Sequence, residues 1–441
     1  MKFEVRFSKE RLITPTGLAI VGMLLSKTGI KKRFNTLKLK ENANPQVKNS
    51  DVALSYIGLL CQGKSDFEDI REMQEDPEFY TDALDIKRLP SPETLRQRMD
   101  MMGSKPRSII LEENVNLLKA SGATFTPCYK NFVPLDVDVS PFDNSNTKKE
   151  GVSYTYKGFN GYSPIFAYLG EEGYLLNIEF REGSEHCQKN TDEFLKETII
   201  HAKQLADEPL LVRLDSGNDS ADNLKVLYAQ ETTSDFIIKR NLRKEKLSCW
   251  KVIAEQNEST LIEHPREGKT VYTGSVYWEV KDLCRKVRIV YQIIERSIKA
   301  DGQMLIMPEL EVQTWWTSLE VDEKDVIELY KAHGTSEQFH SEIKTDMDLE
   351  RLPSGYFATN GLVLELAILA YNILRIMGQE SLKKDDIAIK RSVKRRRLRT
   401  VIQNLITIAS HVVKHARRVC LNLGQSNIWR FVFKRLYETF A

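Results

Sequence analysis

The feature that most restricts the fold of this chain is a succession of strand-like and helix-like segments between residues 131 and 239. Asn131-Phe-Val-Pro-Leu-Asp-Val-Asp-Val is typical of a strand, and Pro209-Leu-Leu-Val-Arg-Leu-Asp is the short apolar run that a buried strand shows. Strands are predicted near 131–139, 162–170, 174–180, 209–215 and 235–239, and helices near 191–206 and 220–229. Three strands followed by helix, strand, helix and strand predict an α/β domain.

This order of elements is that of a ribonuclease-H-like α/β domain. Strand-like segments then follow one another from 240 to 318, and the stretch beginning Leu362-Val-Leu-Glu-Leu is apolar on nearly every face, which predicts a buried core helix. The expected fold class is α/β: a ribonuclease-H-like catalytic domain with a β-rich insertion, flanked by helical N- and C-terminal regions. Five parts are expected in chain order. They are the helical N-terminal region (1–130), the first part of the catalytic domain (131–239), the β-rich insertion (240–318), the second part of the catalytic domain (319–385) and the basic helical C-terminal region (386–441).

Charge is distributed unevenly along the chain. Residues 1–50 carry 11 Lys and Arg against 3 acids, and residues 386–441 carry 13 against 2, although the net charge of the whole chain is only +2. The centre is therefore acidic. An acidic centre between basic ends suits a metal-dependent enzyme whose flanks hold a polyanion, but two solvated basic tails would give the same pattern.

The sequence predicts neither a membrane span nor a disulfide framework. The apolar stretch at 17–25 is too short to cross a bilayer, and nothing resembles a secretory signal, so a cytoplasmic location is expected. The six cysteines include no CxxC pair, which argues against structural zinc and favours reduced thiols.

Two aspartates each end an apolar strand. Asp138 closes the first predicted strand and Asp215 closes the strand that begins at Pro209; Asp136 shares a face with Asp138 because side chains alternate along a strand. The carboxyl ends of strands in α/β sheets are where ligand and metal sites form, and a carboxylate pair there suits a hard cation such as Mg²⁺. Capping of a strand-end turn is the alternative for each aspartate.

A third element lies in Tyr330-Lys-Ala-His-Gly-Thr-Ser-Glu-Gln-Phe-His-Ser-Glu-Ile-Lys. Its spacing, Y-x2-H-x3-E-x6-K, resembles the Y-x2-R-x3-E-x6-K signature of DDE transposases from bacterial insertion sequences. The blocks Leu135-Asp-Val-Asp-Val-Ser, Val212-Arg-Leu-Asp-Ser-Gly and Leu352-Pro-Ser-Gly-Tyr-Phe-Ala-Thr-Asn look most like the group named insertion-sequence thirteen-eighty. The resemblance covers nearly the whole chain.

The resemblance implies that Asp138, Asp215 and Glu337 are the catalytic, metal-binding triad, with Glu342 the second choice for the third carboxylate. The implied cofactor is Mg²⁺, which Mn²⁺ can replace, with two ions per site. The implied reaction is metal-dependent DNA cleavage and strand transfer, as in cut-and-paste transposition. Relatives of this kind act as dimers, so a homodimer is expected.

Several residues are expected to contact double-stranded DNA, both the terminal inverted repeats and the target. Lys344 would contact a phosphate near the cleavage point with Tyr330 beside it, and His333 stands where the family usually has Arg. The paired tryptophans of the insertion could stack on a flipped base or pack in the core. The helix that Ser91 caps could enter a groove through Thr94, Arg96 and Arg98, or be an ordinary surface helix. The candidate DNA-binding residues are Tyr330, His333, Lys344, Arg395, Arg396, Arg397, Trp315 and Trp316.

Two other functions fit parts of this pattern. A transposase-derived DNA-binding regulator without catalysis would have lost a triad carboxylate, whereas all three are present. A ribonuclease-H-fold nuclease would cut DNA without strand transfer, and the basic tail and the insertion argue mildly against it. The pairs His186-Cys187 and His411/His415 lack partner ligands at suitable spacing and are expected to be structural.

Overall fold

The computed structural model of this protein describes residues 3–39, 45–243, 245–384, 386, 393–416 and 418–441. The N-terminal region is helical, as predicted, apart from one short strand. Helix α6 begins where the sequence indicated, because the Ser91 hydroxyl accepts a hydrogen bond from the Thr94 N–H and Pro92 occupies the first turn. The elements are β1 (Leu12–Ile13), α1 (Leu18–Ser26), α2 (Ile30–Phe34), α3 (Asn49–Leu60), α4 (Ile70–Gln74), α5 (Pro77–Leu84), α6 (Pro92–Met102) and α7 (Arg107–Ala120).

A large mixed sheet forms the centre of the protein. It contains β2 (Val133–Val139), β6 (Ile165–Leu169), β7 (Tyr174–Glu179), β8 (Leu210–Leu214) and β9 (Asp235–Lys239); the short strands β3 (Phe142–Asp143), β4 (Ser153–Tyr154) and β5 (Asn160–Tyr162) form a small separate sheet. Strands β2, β8 and β9 run parallel to one another, and β6 and β7 are antiparallel neighbours. Helix α8 (Thr191–Ala202) leads from β7 to β8, and α9 (Ala221–Tyr228) connects β8 to β9.

The β-rich insertion extends this sheet. It begins with a helix, α10 (Leu247–Gln256), followed by β10 (Leu261–Arg266), β11 (Lys269–Val280), β12 (Arg285–Ile298) and β13 (Met304–Thr317). Strand β13 pairs antiparallel with β9, so the nine strands have the order β10-β11-β12-β13-β9-β8-β2-β6-β7. The insertion is therefore continuous with the sheet that carries Asp138 and Asp215.

The chain then crosses one face of the sheet through α11 (Glu323–Lys331), α12 (Ser336–Ser341) and a π-helical turn at Glu342–Asp346. Helix α13 (Phe357–Glu380) follows, and it is the one helix among the described residues that is long and apolar enough to cross a membrane. In the fold, 94% of the most apolar 18-residue stretch of this helix is buried inside the protein. The predicted buried core helix is thus observed.

The C-terminal region differs from the helical tail that was predicted. Among the described residues from 393 onward, helix is confined to α14 (Leu398–Val401), the π-helical turn after it and α15 (Arg430–Phe440), whereas β14 (Ser410–His415) and β15 (Arg418–Leu423) form a hairpin that pairs with β1. The high Lys and Arg content concealed a period-two pattern in which Val412 and Leu421 face the core opposite each other. Strand alternation, rather than charge, decided the structure here.

Candidate active site

Asp138 and Asp215 are adjacent at the carboxyl ends of neighbouring parallel strands. Val137 on β2 pairs with Leu214 on β8, so the next residue of each strand carries its carboxylate to the same edge. The Asp138 side chain is 21% exposed, and Asp215 is half-buried. The predicted meeting of these two carboxylates is observed.

The two carboxylates have opposite pKa shifts. Burial raises the pKa of Asp215, and the charge of Asp138 raises it further, while a hydrogen bond from Asn218 Nδ2 to Oδ1 (2.7 Å) opposes both. Burial also disfavours ionisation of Asp138, but the hydrogen bond and charge of His340 outweigh it and hold the pKa of Asp138 below its ordinary value. Two close, partly desolvated carboxylates repel each other, and a cation between them would relieve that repulsion.

His340 is a site residue that the sequence interpretation missed. Its Nε2 lies 3.4 Å from Asp138 Oδ2, and its Nδ1 lies 3.1 Å from the Tyr168 hydroxyl. The ring is buried and packs edge-on against Phe166. The available signal was spacing: position 340 lies seven residues after His333, close to the same stripe of a helix.

His333, predicted to contact a phosphate, is buried beneath the site. Its Nδ1 lies 2.8 Å from Asp136 Oδ1, and Arg213 donates to both oxygens of Asp136 at 2.6 and 2.7 Å. Burial would lower the pKa of His333, but the hydrogen bond and charge of Asp136 raise it overall. The structure thus places His333 with a buried carboxylate rather than on the surface, because Asp136 shares the Asp138 face of β2 and lies deeper in the fold.

Tyr330 lies beside the aspartate pair. Its ring is 5.8 Å from those of Trp315 and His333. Burial raises the pKa of its hydroxyl, and the charges of Asp215 and Asp138 raise it further.

Glu337 is exposed on α12, between His333 and His340 in sequence. It borders a cavity with Gln338, Ser341, Arg395 and Arg397, and the described residues contain no group of three His, Cys, Asp or Glu side chains arranged to hold a metal ion. The structure therefore brings Asp138 and Asp215 together but does not bring Glu337 into contact with them.

Glu342, the second choice for the third carboxylate, has a structural role. It is buried in an ion pair with Arg375, and its Oε1 accepts a hydrogen bond from the Leu398 N–H at 3.2 Å. It faces away from the aspartate pair, toward the core helix α13.

Lys344 lies just beyond the end of β2. Its Nζ donates to the carbonyl of Pro141 at 2.5 Å and lies 5.2 Å from the centre of the Phe142 ring. Burial lowers the pKa of Lys344. The predicted phosphate-binding lysine thus lies near the end of the strand that carries Asp138, with its amine engaged by a backbone carbonyl.

The three arginines at 395–397 attach the C-terminal region to the helices next to the site. Arg396 is buried over the Trp429 ring, and Arg397 donates to both oxygens of Asp346 at 2.8 and 3.0 Å. Arg395 packs over Phe339 at 4.5 Å. All three therefore have partners within the protein.

Trp315 and Trp316 pack inside the fold. This agrees with the core-packing alternative rather than with stacking on a flipped base. Trp315 is 1% exposed and lies in a small apolar cluster under α11. Trp316 is 8% exposed, donates to Asp219 Oδ1 at 3.0 Å, and lies 4.6 Å from the guanidinium of Arg240.

Tyr156 was not singled out in the sequence, since nothing in its local pattern marks it. Its hydroxyl donates to the Val139 carbonyl at 3.1 Å, one residue beyond Asp138. Burial raises the pKa of this hydroxyl, as do the charges of Asp138 and Asp215.

In α6, the helix that Ser91 caps, both arginines that could contact a DNA groove already have partners within the protein. Arg98 is 6% exposed and hydrogen-bonds to Asn49, and Arg96 forms a surface ion pair with Glu68 at 3.2 Å. The surface-helix alternative is closer to what the structure shows.

Comparisons with known proteins place the chain in a family. The family described as "Transposase DDE domain group 1" matches residues 1–441. No curated protein matches the chain. Among solved structures, the chain is similar to a cryo-EM structure of a piggyBac transposase synaptic complex with hairpin DNA, with a TM-score of 0.44 and 11% sequence identity over 96% of this chain and 82% of that chain. Since the family match spans the entire sequence, the chain belongs to the DDE-domain transposases.

Proposed function

We propose that this protein cuts and rejoins DNA, binding the terminal inverted repeats of a mobile element and transferring the cleaved ends to target DNA. The observation that carries the proposal is the Asp138–Asp215 pair at the carboxyl ends of β2 and β8. Family membership supports the reaction class, and the order β7-β6-β2-β8-β9 within the sheet supports a ribonuclease-H-like domain. The motif around Glu337 supports the insertion-sequence branch named above.

The residues at this edge fit a hard divalent cation. Asp138 and Asp215 present carboxylate oxygens side by side, the donor type that Mg²⁺ and Mn²⁺ prefer. We propose that both aspartates hold the metal and that Glu337 completes the triad by reorienting from its exposed position on α12. When bound, two such ions supply charge neutralisation at the attacking and leaving oxygens of a phosphodiester.

The chain's own residues then position the DNA. Lys344 and Tyr330 both lie near the aspartate pair, where an ammonium and a phenol can bind the phosphates that flank the cleaved bond. Hydrolysis at each element end would release a 3′-hydroxyl, which then attacks a phosphodiester of the target or of the opposite strand, displacing a 3′-oxygen. Because phosphoryl transfer depends mainly on positioning and charge, this set of groups suffices.

The basic N- and C-terminal regions are proposed to hold the inverted repeats through phosphate contacts. The exposed basic side chains of these regions are the candidates, rather than Arg396, which is buried over Trp429, or Arg397, which pairs with Asp346. We propose that the protein acts as a homodimer in the cytoplasm, at the bacterial nucleoid.

The direct test is cleavage of DNA that carries the element's own ends, in Mg²⁺ or Mn²⁺. Asp138→Asn and Asp215→Asn should abolish cutting and keep end binding, whereas Asp222→Asn, at an exposed position on α9, should cut normally. Product analysis separates the alternatives. Cleavage without joined products would support a nuclease, and end binding without cleavage by the wild-type protein would support a regulator.

A further inference from the structure

The first described residues form an exposed arm that does not pack on the rest of the described chain. The arm, residues 3–9, alternates apolar and polar side chains in Phe3-Glu-Val-Arg-Phe. Phe3, Val5 and Phe7 are 91%, 89% and 102% exposed. Three large apolar side chains on one face of an extended segment are the pattern of a strand that is half-buried in its working state.

A matching acceptor lies at the C-terminal hairpin. Strand β15 pairs with β14 on one side and, among the described residues, with no strand on the other. Its free edge therefore presents backbone N–H and C=O groups that can pair with an added strand. The arm, at seven residues, is about as long as the six-residue β15.

An apolar groove runs beside this free edge. Val419 and Leu421 of β15 form one wall, and the exposed rings of Phe431 and Tyr437 on α15 form the other. A strand added to β15 would direct every second side chain into this groove, as peptides do when they add to a sheet edge beside a helix. Phe3, Val5 and Phe7 have the required spacing of two.

We propose that the arm of one molecule adds as a fourth strand to β15 of a second copy, with Phe3, Val5 and Phe7 in the groove against α15. Both the arm and the groove are on every chain, so the exchange can be reciprocal and close a two-fold dimer. The interface uses none of the residues of the proposed cleavage site; it supplies a contact surface for the homodimer of the proposed function but does not depend on the DNA chemistry.

The short segment between the arm and β1 favours pairing of the arm with β15 of a second copy over pairing with β15 of the same molecule. The arm is joined to β1 through Glu10 and Arg11. The Arg11 carbonyl accepts a hydrogen bond from the Val412 N–H of β14, and β1 lies on the far side of β14 from β15. Reaching the outer edge of β15 means crossing three strand spacings, about 14 Å. The four peptide units from Phe7 to Arg11 span about 14 Å only when fully extended, which leaves no length for passing around the β14–β15 turn.

Cysteine cross-linking tests the proposal directly, because Cys420 is exposed on β15. Strand alternation places Cys420 on the face opposite Val419 and Leu421, so it should meet Glu4 or Arg6 of the arm rather than Val5. In a full-length background with Cys249→Ser and Cys284→Ser, Glu4→Cys or Arg6→Cys should give a disulfide-linked dimer on mild oxidation. Val5→Cys should give much less, and Cys420→Ser should remove the product.

Two results would overturn the proposal. One is a disulfide between the arm and Cys420 within a single chain, and the other is no disulfide from either Glu4→Cys or Arg6→Cys. A second measurement avoids the introduced cysteines: Phe3→Ser with Val5→Ser should weaken self-association in sedimentation equilibrium by at least about tenfold, given the apolar area buried by two such side chains. Ile306→Ser with Met307→Ser, at the exposed start of β13, is the matched control and should leave it unchanged.

Discussion

His333 Nδ1 lies 2.8 Å from Asp136 Oδ1, and the two side chains form a buried pair directly beneath the half-buried Asp138. Arg213 binds the same carboxylate through two nitrogens and also donates to the Leu329 carbonyl at 2.8 Å, which ties β8 to α11. One buried anion thus joins the strand that carries Asp138, the strand that leads to Asp215 and the helical segment that carries Glu337. The network sets the relative position of the elements from which the proposed site is built.

Removing this anion should destabilise the protein. Asp136→Ala leaves Arg213 buried without its carboxylate, and such a loss typically costs about 3–5 kcal/mol in the free energy of unfolding. Urea denaturation followed by circular dichroism measures it. Glu208→Ala, at an exposed loop position, should change the free energy of unfolding by less than about 0.5 kcal/mol. Equal stability of the two variants would show that the network contributes no net stability.

The His333–Asp136 pair should make stability depend on pH. Because the pKa of His333 is raised in the folded state, its pairing is fully stabilising below the unfolded pKa of about 6.5 and is lost as pH rises through the folded value. The difference in free energy of unfolding between the wild type and His333→Gln should therefore be largest at pH 6 and decrease toward alkaline pH. A difference that stays constant from pH 6 to 9 would contradict a charged His333.

Glu365, on the core helix α13, should also make stability depend on pH. Burial raises the pKa of its carboxyl to about 7, partly offset by Arg107, whose Nη1 is 3.6 Å away. The folded state therefore holds the carboxyl neutral and loses stability as pH rises from about 4.5 to 7. Glu365→Gln should match the wild type near pH 4 and exceed it above pH 7, by up to about 3 kcal/mol. Denaturation at both pH values provides the measurement.

The aspartate pair could be predicted from sequence because both of its determinants are local. Each Asp closes a short, largely apolar strand segment, and parallel neighbours end at the same edge of a sheet, so Asp138 and Asp215 had to meet once β2 and β8 were adjacent. The buried position of α13 was predictable for a similar reason, since it is apolar on all faces. Periodicity along one segment carried this information.

The partners of the basic residues could not be predicted in this way. Whether His333 faces a phosphate or Asp136 depends on which side of the helical segment packs on β2, and Arg397 meets Asp346 across 51 residues of sequence. A cationic side chain has the same sequence signature whether its anion is a nucleic acid or a buried carboxylate. The C-terminal strands were missed because β14 gains its second neighbour from β1, about 400 residues earlier.

Substitutions should distinguish the roles of the two glutamates of the motif, Glu337 and Glu342. Glu337→Gln removes a carboxylate that is exposed and forms no ion pair with any described residue, so it should abolish DNA cleavage and leave the melting temperature within about 1 °C. Glu342→Gln removes the partner of the fully buried Arg375 and should lower the melting temperature by several degrees. If Glu337→Gln cuts DNA at the wild-type rate, the third carboxylate lies elsewhere.

His340 should control how well Asp138 binds metal. Its ring links the Tyr168 hydroxyl at Nδ1 to Asp138 Oδ2 at Nε2, so it fixes the orientation of one carboxylate oxygen. Partners that orient a metal ligand typically change metal affinity by 10- to 100-fold when removed. Mn²⁺ titration followed by electron paramagnetic resonance, with no DNA present, should therefore show an affinity loss of about tenfold or more for His340→Ala.

His340→Gln, which can still donate a hydrogen bond to Asp138, should recover part of the affinity, and Tyr168→Phe should cause a smaller loss. His201→Ala, a half-buried histidine on α8, is the control and should bind Mn²⁺ like the wild type. If His340→Ala also binds Mn²⁺ like the wild type, then the ring supports only packing against Phe166 and Tyr168.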